Sequence, residues 1–146
     1  MTATSRHSVS VAAVITDPAG RVLVVQRRDN GKWEIPGGVL ELDESIHDGL
    51  RREVEEETGL LIEPDAVTGI YKNIKLGVVA LVFTARITSG EPHPTDESAA
   101  IAWWPLDEVT TQMAQVFAIR VQDAFNGGPT NVRLHDGVQL LDRSAR

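Results

Sequence analysis

Residues 38–60 read GVLELDESIHDGLRREVEEETGL, and this stretch decides how the rest of the chain is read. It holds eight acidic residues and only two basic ones, leaving −6 of the chain's formal −7. The acidity is therefore local. A Pro36-Gly37-Gly38 turn enters the stretch and Gly59 closes it. Crowded carboxylates repel one another, and a divalent cation held among them would relieve that cost.

The stretch predicts a helix over about 46–58. Ser45 and Asp48 have capping-box spacing, with Asp in place of the longer Glu. Gly59 stands where a left-handed residue ends a helix. Projected at about 100° per residue, Ile46, Leu50 and Val54 form one apolar stripe that should face a core. Asp48, Arg51 and Glu55 fall on the solvent side. Glu57 falls inside the stripe, Glu53 at its edge and Glu56 one step further round. A solvated acidic helix with Arg51–Glu55 and Arg52–Glu56 pairs is the plain alternative. The register argues against it, because Glu53 and Glu57 find no basic residue on their own face. Ionised carboxylates at the border of a buried face are costly unless paired or metal-bound.

The flanks supply a sheet. Residues 9–16 and 21–26 are β-branched and apolar and predict a hairpin around the Asp17-Pro18-Ala19-Gly20 turn. Residues 67–74, 78–83 and 99–104 are further strand candidates. Residues 111–125 place Met113, Val116, Phe117, Val121, Ala124 and Phe125 at helical spacing, ended by Asn126-Gly127-Gly128-Pro129. Val132, Leu134, Val138, Leu140 and Leu141 suggest one small strand pair before a polar tail. Strands flanking two helices imply an α/β chain with helices on a mixed sheet. One domain is expected over 1–146, with mobile ends at 1–7 and 142–146.

Composition narrows the function. At 146 residues, 42% apolar and 24% charged, the chain has the make-up of an ordinary globular domain. The net negative charge argues against a stable nucleic-acid complex, which needs clustered Lys and Arg. No cysteine is present, which excludes disulfides, thiolate metal sites and thiol nucleophiles and suits a cytoplasmic protein. No apolar run is long enough to span a bilayer, so no membrane partner is expected. The short basic-then-apolar start, Arg6-His7 before residues 9–15, fits a hairpin better than a signal peptide, because a turn follows it at once.

Gly38, five residues, Glu44, seven residues, then Arg52-Glu53-Val54-Glu55-Glu56-Glu57-Thr58-Gly59-Leu60 resembles the complete Nudix box, G-x5-E-x7-REUxEExGU with U apolar. Trp33-Glu34-Ile35-Pro36-Gly37 leads into it as Nudix sequences do. Asp96-Glu97 with Ala102-Trp103-Trp104-Pro105 resembles the family's downstream strand and short helix. The likeness covers about residues 8–125. It implies an α/β/α sandwich and metal-dependent hydrolysis of a diphosphate linkage in a nucleoside diphosphate derivative. It implies Mg2+ or Mn2+ held by Glu53, Glu56, Glu57 and the Gly38 carbonyl, with Glu44 and Arg52 as a structural pair. Glu53, Glu56 and Glu57 are then the catalytic candidates, and which glutamate is the general base does not carry over. Hard divalent ions on carboxylates suit this chemistry, because they bridge phosphate oxygens and acidify a water.

Glu97 is the further carboxylate that such proteins often add from a separate loop, and it joins the catalytic candidates. Arg27 and Arg28 are candidates to hold a phosphate or ribose edge. Trp33, Trp103 and Trp104 suit packing better than base stacking. His47, His93 and His135 stand alone and are assigned nothing. Tyr71, Lys72 and Lys75 fall where Nudix relatives build substrate contacts. The proline of ADP-ribose-type members is missing where Ile74 and Lys75 stand, Gly77 replaces the tyrosine of dinucleoside-polyphosphate members, and no NADH-type signature is present. The substrate stays open, and a homodimer is compatible with the composition. Two rivals remain: a Nudix-fold module that senses a nucleotide without turning it over, and a structural protein that binds divalent ions.

Overall fold

The computed structural model describes residues 5–141. The expected mobile ends fall on residues 1–4 and 142–146, outside the described residues, and on residues 5–7, which are exposed and precede the first strand. The chain runs β1 (Ser8–Ile15), β2 (Val22–Gln26), β3 (Trp33–Glu34), β4 (Gly37–Val39), α1 (Ile46–Thr58), β5 (Leu61–Asn73), β6 (Val78–Ser89), β7 (Ala100–Trp104), α2 (Leu106–Gln112), α3 (Gln115–Asn126), β8 (Asn131–His135) and β9 (Leu140–Leu141). A six-stranded sheet has the order β4-β1-β6-β5-β8-β9, and a three-stranded sheet the order β3-β2-β7. The larger sheet is mixed, with β1–β6 and β5–β8 parallel and the other pairs antiparallel. Among the described residues no helix is long and apolar enough to cross a membrane.

Period-two alternation places a core on each face of the central strands. Val11, Ala13 and Ile15 of β1 meet Phe83 and Ala85 of β6, Leu23 of β2, and Leu50 and Val54 of α1. Ala12 and Val14 face the other way, with Ala80, Val82, Tyr71 and the α2–α3 residues Val109, Ala118 and Val121. One strand thus serves two helical layers, which is the α/β/α sandwich. Leu50 and Val54 are fully buried, and each contributes roughly 1.5–3 kcal/mol by leaving water. Ile46, expected beside them, stays 43% exposed in the first turn, whereas Thr58 is buried at the other end.

Two expectations need correction. The Asp17–Gly20 turn forms, with the Gly20 N–H on the Asp17 carbonyl at 2.9 Å and the Asp17 carboxylate accepting from Ala19 and Arg21. Yet β1 and β2 meet only through the bridge Thr16–Val22 and then part into different sheets. Both edges of β1 are already taken, by β4 and β6. The expected helix over 111–125 is two helices, broken at Met113 and Ala114, whose backbones are extended (ψ 148° and 145°). Met113 is buried all the same, so the apolar period runs through a break that no Gly or Pro marks.

Candidate active site

Local sequence builds α1 as expected. The Ser45 hydroxyl accepts the Asp48 N–H at 3.1 Å, and Gly59, at φ 77°, donates to the Glu55 carbonyl at 2.8 Å. Gly49 in mid-helix is explained by close approach: a Cβ there would run into Leu40 and the Glu44 carboxylate. The missing side chain lets the 40–44 loop lie against the helix and brings Glu44 to Arg52.

Arg52 is the hub of the acidic cluster. Its Nε and Nη2 donate to the two Glu44 oxygens, both at 2.8 Å, and Nη2 also reaches the Val39 carbonyl at 3.2 Å. Its Nη1 donates to Glu53 at 2.9 Å and to both Glu56 oxygens at 3.3 Å. The fork on Arg52 and the Glu41 N–H hold the Glu44 carboxyl down to about 2, and the same carboxylates push the Arg52 guanidinium still higher. Glu53 therefore does have a basic partner, contrary to its position on the projected wheel. The long Arg52 arm reaches round from the adjacent residue. Arg51 pairs with Asp48 (3.0 Å) and Glu63 (2.8 Å) rather than with Glu55, because β5 runs beside the helix.

Glu57 is different. Its partner is the Gly37 N–H, at 2.8 Å, not a cation. Burial pushes its carboxyl up to about 7, with Glu53 and Glu34 adding to the rise and the Gly37 N–H opposing it. Burial also raises Glu53, against the pull of Arg52. At Gly38 a Cβ would collide with the Glu53 carboxylate, so backbone and carboxylate share one tight corner.

A polar loop closes over this corner. The Thr95 hydroxyl donates to the Glu56 carbonyl, and the buried Ser98 hydroxyl donates to the Glu57 carbonyl at 2.9 Å. These are carbonyls of the last turn of α1, which otherwise lack partners. Arg28 donates to the Thr95 carbonyl at 3.0 Å, and the Glu97 N–H to the Thr95 hydroxyl at 3.1 Å. The result is a cavity of about 400 Å3 lined by Arg27, Arg28, Gly37, Gly38, Glu53, Glu57, Asp96 and Glu97. Residues about 60 positions apart are brought together here, and Arg27, Arg28 and Glu97 line the same cavity as Glu53 and Glu57. Glu56 lies outside that lining, exposed on Arg52. Arg27 is already engaged, with Asp29 at 2.6 Å and Glu34 at 3.5 Å. A larger cavity, about 1200 Å3, is lined by Asp17, Arg21, Arg86 and Trp103 among others and contains no box residue. The box glutamates Glu53 and Glu57 line the smaller one.

The donor set fits a hard divalent cation. It is all oxygen, and it includes two carboxylates raised by burial, whose charge a cation would compensate. Among the described residues no three acidic or histidine side chains already converge on one point. Arg52 draws Glu53 and Glu56 to itself while Gly37 holds Glu57, so binding requires these side chains to turn inward. Glu53, Glu56, Glu57 and the Gly38 carbonyl would be the holders.

Sequence reasoning missed Thr95 and Ser98, since hydroxyls in a polar loop carry no signal of what they will touch. Tyr71 is no substrate contact: it is fully buried, its hydroxyl on Asp123 at 2.7 Å. Trp33 and Trp104 pack on each other at 4.9 Å, in line with a packing role.

The family model of the NUDIX domain matches residues 6–123. The chain belongs to the Nudix family. Across 92% of the chain it is 51% identical to a MutT-like protein of Streptomyces ambofaciens, covering 88% of that protein. Across 93% of the chain it is 30% identical to the human 8-oxo-dGDP phosphatase NUDT18, of whose length it spans only 38%. Among solved structures, an ADP-ribose pyrophosphatase of Streptococcus suis superposes with a TM-score of 0.74 at 26% identity, over 89% of this chain and all of that one. The MutT protein of Methanosarcina mazei superposes at 0.73 and 27%, over 87% of this chain and all of that one. The Nudix fold and its mixed sheet are thereby shared with enzymes, and the box sits on the same helix-and-loop corner described above.

Proposed function

We propose that this Nudix pyrophosphohydrolase cleaves the diphosphate linkage of a nucleoside diphosphate derivative with the help of Mg2+ or Mn2+, using Glu53, Glu56, Glu57 and Glu97. The observation that carries the reading is the pair of half-buried carboxylates, Glu53 against Gly38 and Glu57 on the Gly37 N–H, in a cavity that also carries Arg27, Arg28 and Glu97. A structural acidic helix has no use for carboxylates held where burial disfavours their charge. When bound, a divalent ion would neutralise phosphate charge and acidify a water.

The chain's own residues supply the rest. Arg28, anchored on the Thr95 carbonyl, stands at the cavity wall where a phosphate oxygen can be held. Arg52 keeps Glu44 and the entry loop on α1 and so keeps the Gly38 carbonyl in place. Glu97 is carried by a loop tied to the end of α1 and lines the cavity with Glu53 and Glu57, a place from which a carboxylate can take a proton from an attacking water. The relatives named for 8-oxo-dGDP and ADP-ribose hydrolysis support the substrate class without selecting a member of it.

The test is a panel of nucleoside diphosphates, nucleoside triphosphates and nucleotide sugars, incubated with Mg2+ or Mn2+ and with EDTA, with products separated by chromatography. At least one member should be cleaved, and EDTA should stop it. Silence across the panel with both metals sinks the reading.

A further inference from the structure

A second cavity of about 240 Å3 adjoins the first and shares Arg27, Gly37 and Gly38 with it. Sites that enclose a whole drug-sized ligand run to roughly 300–1,000 Å3, so this one has room for a single part of a substrate. Arg120 of α3, His135 of β8, Phe117 and Glu34 stand on its wall. Arg120 Nε and His135 Nε2 are buried there without a hydrogen-bond partner. Orphaned buried polar atoms are uncommon in folded proteins and call for an explanation. The phosphate corner uses neither.

Both orphans are donors. The Gly137 N–H donates to His135 Nδ1 at 3.0 Å, which makes Nδ1 an acceptor. A neutral imidazole must then carry its proton on Nε2. Burial, with Arg120 adding to it, pushes the His135 pKa down and keeps the ring neutral. Arg120 is held by ring faces, and among the described residues its Nε finds no hydrogen-bond acceptor. Its guanidinium carbon lies 5.2 Å from the Tyr71 ring centre and 5.0 Å from that of Phe117. Such contacts orient a guanidinium while leaving its N–H groups free. Tyr71 is itself fixed by Asp123, which takes two further bonds from Arg133, both at 2.7 Å. The Asp123–Tyr71 contact thus fixes one of the two rings that hold Arg120 at the pocket wall.

We propose that Arg120 and His135 read the base of the substrate by donating together to one carbonyl oxygen, so that the pocket takes an oxo-edged base of the guanine or uracil type in preference to adenine. The inference rests on the hydrolase reading above and deepens it. A carbonyl oxygen has two lone pairs and can accept both donors at once. Adenine offers a ring nitrogen with one lone pair beside an amino group that only donates. It would leave one buried donor unpaired, which is the situation that gives strong discrimination between ligands. Glu34, on the same wall, supplies an acceptor for the ring N–H that stands beside the carbonyl in guanine and uracil.

The experiment measures calorimetric binding of GMP, UMP and AMP to the parent, to Arg120→Met and to His135→Phe, with Mg2+ present. It is paired with kcat/KM for GDP-glucose against ADP-glucose and with the thermal midpoint of each variant. The parent should bind GMP or UMP about tenfold or more tightly than AMP, the size expected when one buried donor is left unpaired. Each variant should bring that ratio towards one. Arg120→Met should melt no lower than the parent, since it removes a buried guanidinium that no carboxylate pairs. The proposal is overturned if the parent shows no preference, or if the ratio survives both substitutions. It is also overturned if the variants melt lower and weaken all three nucleotides alike, because the residues then only hold the core. Absence of any cleavage alongside an intact GMP-to-AMP ratio would instead defeat the hydrolase reading and leave the base pocket standing.

Discussion

Substituting Glu57 by Gln separates what a half-buried carboxylate costs from what it does. Burial lifts its carboxyl from an ordinary 4.5 to about 7, while the Gly37 N–H pulls the other way. The folded value lies above the unfolded one, so the folded protein binds the proton more tightly between those limits. The stability tied to that proton is complete below pH 4.5 and is lost as pH rises through about 7. At about 1.4 kcal/mol per pH unit the loss is about 2–3 kcal/mol, allowing for the water that reaches part of the side chain. Glutamine has no charge to desolvate, and its Oε1 keeps the Gly37 hydrogen bond. Urea unfolding in EDTA should show the parent weakening from about pH 5 to about pH 8 by that amount more than Glu57→Gln. The variant should be the more stable of the two at the alkaline end. Added Mn2+ should raise the thermal midpoint of the parent far more than that of the variant, and turnover should fall by about a hundredfold, or about 2.7 kcal/mol of barrier. Parallel pH curves, or a variant weaker than the parent above neutrality, would refute the argument that Glu57 is held against its own desolvation.

Glu44→Ala should lower the melting temperature and turnover together in a calorimetric and kinetic comparison, since it strips Arg52 of a two-point partner and the Glu41 N–H of its acceptor; Glu44→Gln should recover part of both. Glu97→Gln should cut kcat by about tenfold or more, equivalent to about 1.4 kcal/mol, with the melting temperature unchanged. Asp96→Asn should cause a smaller but measurable loss, because Asp96 lines the same cavity. Asp123→Ala should cost roughly 3–5 kcal/mol in urea unfolding, because it leaves the buried Tyr71 hydroxyl and the Arg133 fork without their common acceptor.

The behaviour of Asp96 shows where one-dimensional reasoning stops. Neighbours in an extended segment point opposite ways, which would turn Asp96 away from a site that Glu97 faces. The segment is instead a turn pinned by Thr95 and Ser98 to the end of α1, and both residues line one cavity. Glu53 is a similar case. Its depth at the edge of the apolar stripe was legible from helical period, but its contact with Arg52 depends on how far a guanidinium arm can reach.

Residues 38–60 by themselves determined the box helix, its caps, the buried stripe at Leu50 and Val54 and the carboxylates at the stripe's border, while the Glu44–Arg52 pair came only from the resemblance to the Nudix box. All but that pair follow from spacing within a few turns of one helix and the loop that enters it, where geometry is set by 3.6 residues per turn. Tertiary structure alone decided that β1 and β2 part into two sheets, that the C-terminal helix breaks at Met113, and that Arg120 and His135 line one cavity with Gly37 and Gly38. Each of those depends on partners distant in sequence: β6 and β4 competing for the edges of β1, a core that buries Met113 on an extended backbone, and β8 laid parallel to β5 so that His135 pairs with Asn73. Long-range pairing leaves no periodic trace in the residues that take part, so only the packed chain reveals it.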